Sequence, residues 1–469
     1  MKILLAGYNL DNEVIEALKK GKTNRTDVTP EVLSASYARI SRDPRPIDSL
    51  RKAAREEVEK ARKSNQNIIF KMGHHSVAEH AVFNFDLIDV SRLAMEEIEK
   101  FRLCSYTEKS QRYQKLEDNF LIPEEIKSVR MENLFVETLK AQNKAYQSAV
   151  AIDVPPEDAR YITSLATLGQ VGMTVNARNL ELLFRRFASS SLAEVRQIGK
   201  EMFRLVEKIA PSIILFTQAT PLDRDTYPAL QDWAKNNVKN KNNNNTEEVS
   251  LINFDKEADN IILASLLHIS TDLDFNTCLK EIKKLSHKKQ LELIKISLKN
   301  LEFFDSTIRE FEFSDLTFEL IISSACFGQL KRHRMATTTA QPYNPKLGIT
   351  VPKTIKEKGL EKEFVNIAVE TEKAYEKIYR KKSLAAPYIL TNAHRKRVLF
   401  KCNARELYHI SRLREDKHAQ WDIHSITNKM VFLAKKAMPI SMITICGKDS
   451  YTEVFKSVFG KEPKIKPVY

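Results

Sequence analysis

The segment HAVFNFDLIDV (80–90) alternates along its length: Phe83, Phe85 and Leu87 fall on one face, Asn84 and Asp86 on the other. Successive side chains of a strand point to opposite sides, so a period of two predicts a strand with one face in a core and one in water. The same alternation returns in LTFEL (316–320). Helix-like segments surround both strands. They are LRKAAREEVEKARKS from Leu50 and ENLFVETLKAQNKAYQSAV from Glu132, then QLELIKISLKNLEFF from Gln290 and VNIAVETEKAYEKIYRK from Val365. PPEDAR (155–160) sets prolines and acids where a helix should begin. The opening MKILLAGYNLDNEV reads as a first strand and not as a secretory signal. The pattern is α+β and it occurs twice.

Other landmarks repeat with it. ARIS ends at Ser41 and LHIS at Ser270; NAR begins at Asn176 and again at Asn403; KFR ends at Arg102 and RHR at Arg334. The separations are 229, 227 and 232 positions. A nearly constant offset across three distant landmarks marks a tandem duplication. Between the copies lies KNNVKNKNNNNTEE (235–248), almost free of apolar residues and read as an exposed linker. The expected division is therefore residues 1–234, a linker at 235–248, and residues 249–469.

With 469 residues, 42% of them hydrophobic, the chain can bury two or three cores. No apolar run is long enough to span a bilayer. Five scattered cysteines, with no CxxC or other metal-ligand spacing, fit a reducing cytoplasm and no metal. The net charge of +14 favours anionic partners, whether nucleic acid, nucleotides, dinucleotide cofactors or folates, and scattered surface lysines account for part of it. No aromatic-studded basic stripe or known nucleic-acid motif accompanies it, so nucleic acid is disfavoured.

Three segments carry candidate chemistry. In FRLCSYTEKSQRY (101–113), an extended chain would project Glu108, Ser110 and Arg112 from one side. A hydroxyl beside a guanidinium suits a phosphate, while a solvated strand edge of mixed charge is the alternative. In FGQLKRHR, if a helix continues, Gln329, Arg332 and His333 share a face that could hold a pyrimidine edge and a diphosphate; a basic surface patch is the alternative. In NARELYHISRLREDKHAQWDI (403–423), Leu407, Ile410 and Leu413 form an apolar helical face, with Arg414 and His418 as neighbours one turn apart. His418 and Trp421 could equally serve packing alone.

Taken together these segments resemble flavin-dependent thymidylate synthase, the ThyX family. The resemblance rests on GHHSVAEH (73–80), SYTEKSQRY (105–113), ARY (159–161) and NAR (176–178) in the first half. In the second half it rests on QLKRHR (329–334), NAR (403–405), and Arg414 with HAQWD (418–422). The ordinary member is about half this length, so the chain looks like two fused copies, each an antiparallel sheet with packed helices. Neither copy is complete. The first has KFR for RHR, Glu97 for the family's glutamine, Phe187 at the position of Arg414, and no HAQWE stretch. The second has Ala340, Pro342 and Asn344 where the first has Glu108, Ser110 and Arg112, and Pro387 where the first has Arg160.

The resemblance implies a reaction: reductive methylation of dUMP to dTMP, with FAD bound and with NADPH and methylenetetrahydrofolate as co-substrates. It also implies roles. Gln329, Arg332, Glu108, Ser110, Arg112, Arg160 and Arg414 would bind dUMP, with Arg414 also catalytic through the uracil ring. Arg332, His333, Arg334, Ser76, Glu79, Asn403, Arg405, His409, His418 and Ser41 would hold FAD. Family sites are shared between subunits of a tetramer, so one composite site is expected between the halves and a homodimer would mimic the tetramer. The reciprocal site, with Lys100 and the substitutions above, would be dead. Alternatives are a flavin-dependent methylase of another uracil nucleotide, a flavin-binding pseudoenzyme, and a basic nucleic-acid-binding protein.

Overall fold

The computed structural model describes residues 1–22, 27–112, 116, 119–239 and 245–466. Tyr113, which ends SYTEKSQRY, and 240–244 of the asparagine-rich segment lie outside the described residues.

Each copy builds one four-stranded antiparallel sheet of the same topology. The first comprises β1 (Lys2–Tyr8), β2 (Val82–Ser91), β3 (Cys104–Glu108) and β4 (Leu168–Asn176), in the order β1-β2-β4-β3. The second comprises β5 (Val249–Phe254), β6 (Asp315–Ser323), β7 (Thr337–Ala340) and β8 (Arg395–Asn403), in the order β5-β6-β8-β7. The alternating segments are the central strands, as their period predicts. Phe83, Phe85 and Leu87 are buried opposite Val175, Met173 and Val171. Leu316, Phe318 and Leu320 are buried opposite Cys402, Phe400 and Val398.

Both sheets turn into a helix at NAR, and the turn is built identically. Asn176 and Asn403 are the N-caps, their side-chain oxygens accepting from the backbone N–H of Asn179 and Glu406. The alanines, Ala177 and Ala404, are fully buried and donate their N–H to Ala81 and Ser314. The arginines each meet a glutamate on the short 3₁₀ turn leading into the central strand: Arg178 with Glu79, Arg405 with Glu312.

The compact units do not follow the linear order of the copies. One is Met1–Asn243 with Lys353–Thr391; the other is Asn244–Pro352 with Asn392–Tyr469. The first unit thus contains the long helix Glu132–Ala151 and its counterpart from the second copy, Glu361–Lys381. Gln142 on the first donates to Thr371 on the second at 2.9 Å, and Ser164 bridges Thr391. Each of these contacts joins a residue to its own repeat equivalent. In the second unit the core gathers Phe311, Phe318, Phe400, Leu407, Ile410 and Met430.

Local readings that assumed continuous elements need correction. The helix from Leu50 breaks at Glu57 into Ile47–Glu56 and Val58–Asn65. β3 stops at Glu108, so Ser110 and Arg112 lie on the following turn and not on one strand edge. The helix Ser324–Leu330 ends before Arg332, so Gln329, Arg332 and His333 share no helical face. Helix Ala404–Arg414 buries Leu407 and Ile410 but leaves Leu413 exposed, and it ends at Arg414, so His418 is not its neighbour one turn on. Helix Pro221–Asn237 also takes up the first residues of the asparagine-rich segment.

Gly447 packs against the end of helix Ala404–Arg414: a β-carbon there would stand 2.5 Å from the Glu415 carbonyl oxygen. That oxygen is backbone and cannot swing aside. Gly447→Ala is expected to destabilise the fold by about 2 kcal/mol, the scale of core overpacking, measured by denaturant unfolding against wild type.

Candidate active site

In the second unit, the RHR segment leaves its helix at Leu330 and runs through turns in which the side chains alternate. Arg332 and Arg334 point outward; His333 is buried at 4% exposure. Inside, Arg414 donates from Nε to His333 Nε2 at 3.0 Å and from a terminal nitrogen to the Gln329 backbone oxygen at 3.3 Å. The Gln329 amide donates to Gln420 Oε1 at 3.3 Å, and Gln420 caps helix Trp421–Ala437. On the other side of the imidazole, Nδ1 faces Glu406 Oε1 at 3.6 Å. Burial, then the nearby Arg414 and His409, holds the His333 pKa well below the usual histidine range, so the ring is neutral. Burial pushes the Glu406 carboxyl up, against the pull of His409 and Arg405. The structure therefore gathers Gln329, His333 and Arg414, with His409 edge-on to His333 at 6.0 Å between centroids.

The remaining cofactor candidates of this unit are placed differently. The Asn403 side chain caps its helix, and Arg405 donates to Glu312 and the Thr307 carbonyl. His418 lies exposed on a turn, its backbone N–H tied to Asp416. In the first unit, Ser76 and Ser41 are exposed, Ser41 just past helix Pro30–Arg39, and Glu79 pairs with Arg178.

The phosphate candidates of the first unit converge. Glu108 pairs with Arg92 at 3.0 Å, both almost fully buried. The Ser110 hydroxyl accepts from the Arg112 N–H. Arg112 Nε donates to Glu157 Oε2 at 2.9 Å, and Arg160 Nε donates to the Glu157 backbone oxygen at 3.1 Å. Burial, with the like charges of Arg92 and Arg112 opposed by Glu108, lowers the pKa of Arg160. Arg92, Arg112 and Arg160 thus lie with Glu108 and Glu157 in one cluster, and its guanidinium groups suit an anion.

Three participants escaped the sequence reading: Arg92, Glu157 and Glu406. Comparing the copies finds two of them. Arg92 sits where the second copy has Ser324, and Glu406 where the first has Asn179. The same comparison explains the lost positions. Phe101 and Phe187 stand where the second copy has His333 and Arg414, and their rings meet edge to face at 5.9 Å. Phe187 packs so tightly on Gly199 that a β-carbon there would come within 2.9 Å of it. HAQWE is not wholly gone from the first copy: its acid persists as Glu194, accepting from the Ser91 N–H and hydroxyl just as Asp422 accepts from the Ser323 hydroxyl.

A duplicated α+β unit carries a buried arginine–histidine centre in one copy and an arginine cluster in the other. The chain belongs to the thymidylate synthase complementing protein family, Thy1, whose model matches it twice, over residues 25–212 and 250–440; it is a tandem duplication of that family's unit. The flavin-dependent thymidylate synthase of Clostridium tetani is 31% identical over 209 residues, covering 40% of this chain and 82% of its own. That of Geobacter sulfurreducens is 35% identical over 158 residues, covering 33% and 67%. Among solved structures, ThyX from Helicobacter pylori, complexed with FAD and dUMP, aligns with 46% of this chain and 100% of its own, at 15% identity and a TM-score of 0.33. No helix among the described residues is long and apolar enough to cross a membrane.

The Arg92–Glu108 pair offers a direct test of the cluster. Arg92→Met leaves Glu108 buried without that partner and is expected to cost about 3 kcal/mol. Adding Glu108→Met should recover more than half of the loss, read as a coupling energy in a double-mutant cycle of unfolding.

Proposed function

We propose that the protein is a flavin-dependent thymidylate synthase that converts dUMP to dTMP, taking the carbon from methylenetetrahydrofolate and reducing equivalents from NADPH. One composite site does the work, with the first copy supplying the phosphate end and the second the ring end. One observation carries this reading. The arginine cluster is whole only in the first copy, and the Arg414–His333 centre is whole only in the second. Neutral drift would damage both sites alike, whereas here each copy lacks what the other keeps.

In the proposed site, Arg112, Ser110 and Arg160 donate to the dUMP phosphate, and Arg92 holds Glu108 in place. Gln329 and Arg332 complete the nucleotide site. Arg414 lies against the uracil ring and stabilises negative charge on it, making the ring carbon more nucleophilic. The donor set fits FAD: two outward guanidinium groups, Arg332 and Arg334, suit a pyrophosphate, with Arg405, His409, Ser76 and Glu79 as further contacts. Bound there, the flavin supplies the carbon-carrying and hydride chemistry. The protein's part is to hold the nucleotide, polarise its ring and keep the site dry. All five cysteines are buried, in keeping with a mechanism that asks for no thiol nucleophile.

The test is dUMP-dependent NADPH oxidation with transfer of labelled methylene carbon to the nucleotide, together with rescue of a thymidine auxotroph. Arg414→Ala should lower kcat by about 100-fold or more, the scale of losing one preorganised charge contact. Arg112→Ala should raise the KM for dUMP by about 10–100-fold, corresponding to a charge-assisted hydrogen bond. Normal dUMP kinetics in Arg112→Ala contradicts the composite site.

A further inference from the structure

His333 sits among the basic residues assigned to the flavin, yet its ring lies in the interior, with one nitrogen toward Arg414 and the other toward Glu406. A guanidinium has donors only. The contact from Arg414 Nε to His333 Nε2 therefore requires a lone pair on Nε2, and a neutral imidazole must then carry its proton on Nδ1. Nδ1 lies 3.6 Å from Glu406 Oε1, whose side chain is almost as deeply buried. An imidazolium would set two donors against each other at Nε2 and break the contact.

We propose that Glu406 and His333 are positioning residues for Arg414: the carboxylate selects the Nδ1–H form of the imidazole, and the exposed Nε2 lone pair fixes the plane of the guanidinium. The proposal rests on Arg414 being the ring-facing group of the function proposed above. Glu406 is also held rigidly, since its own backbone N–H is the one capped by Asn403. The internal repeat supplies an independent argument. Where the first copy has Phe187 in place of Arg414, it also has Phe101 in place of His333 and Asn179 in place of Glu406. The loss of the arginine and the loss of both its supports go together, and an apolar edge-to-face contact fills the space.

The experiment uses the full flavin-loaded chain with Glu406→Met and Glu406→Gln. Methionine matches the volume but accepts poorly; glutamine keeps a carbonyl that can accept from Nδ1–H. The first readout is hydrogen exchange of arginine Nε–H protons by NMR, with the Arg414 signal identified by its absence in Arg414→Lys. The Arg414 Nε–H is expected to exchange at least tenfold faster in Glu406→Met and to return to within about threefold of wild type in Glu406→Gln, as expected of a supporting partner. The second readout is turnover with dUMP: kcat falls about 10–100-fold in Glu406→Met with a smaller change in the KM for dUMP, and Glu406→Gln recovers most of it. Unchanged Arg414 exchange in folded, flavin-replete Glu406→Met overturns the proposal whatever the turnover, and so does a failure of glutamine to restore exchange. If wild type itself does not turn over dUMP, the proposed function falls, while the exchange measurement still decides the positioning role.

Discussion

A guanidinium cannot accept a hydrogen bond, and this constraint organises the second copy around its buried histidine. Arg414 donates its Nε–H to His333 Nε2, so the imidazole must stay neutral for the contact to hold. Burial and the neighbouring positive charge supply that neutrality. The chain leaves its helix at Leu330 so that His333 can turn inward while Arg332 and Arg334 turn outward. The end of helix Ala404–Arg414 is fixed in turn by Gly447, whose missing side chain admits the Glu415 carbonyl.

The two copies show what the scaffold needs and what the chemistry needs. The N-A-R turn, its arginine–glutamate pair and the acid that receives the serine at the end of the central strand survive in both. They hold strand to helix in both copies. The polar groups that differ between copies are the ones assigned to nucleotide and ring. In the first copy the vacated interior is filled by Phe101 and Phe187. In the second copy, buried Lys396 sits between the rings of Phe327 and Tyr343, on the segment that bears Ala340, Pro342 and Asn344. Each copy has thus been repacked where it lost its site residues.

Much of the fold was legible because its central strands each bury one face, and alternation is a strong signal over even a few residues. The duplication was legible from spacing alone. The site was less so. The motif reading of NAR did not reveal that its asparagine caps a helix and its arginine pairs with a nearby glutamate in both copies. RHR looked helical because nothing local in its sequence stops a helix; the inward turn of His333 comes from tertiary burial, which local propensity does not report. Arg92 and Glu406 were invisible as single charged residues in otherwise ordinary segments. Only the copy-to-copy differences, Ser324 against Arg92 and Asn179 against Glu406, mark them out.

The central claim is that two incomplete copies make one working site, and the number of nucleotides bound tests it most directly. Calorimetric titration of the flavin-loaded chain with dUMP is predicted to saturate at one nucleotide per chain. Two per chain would mean that each copy retains its own site, and none would mean that the remnants do not form one; either result contradicts the account.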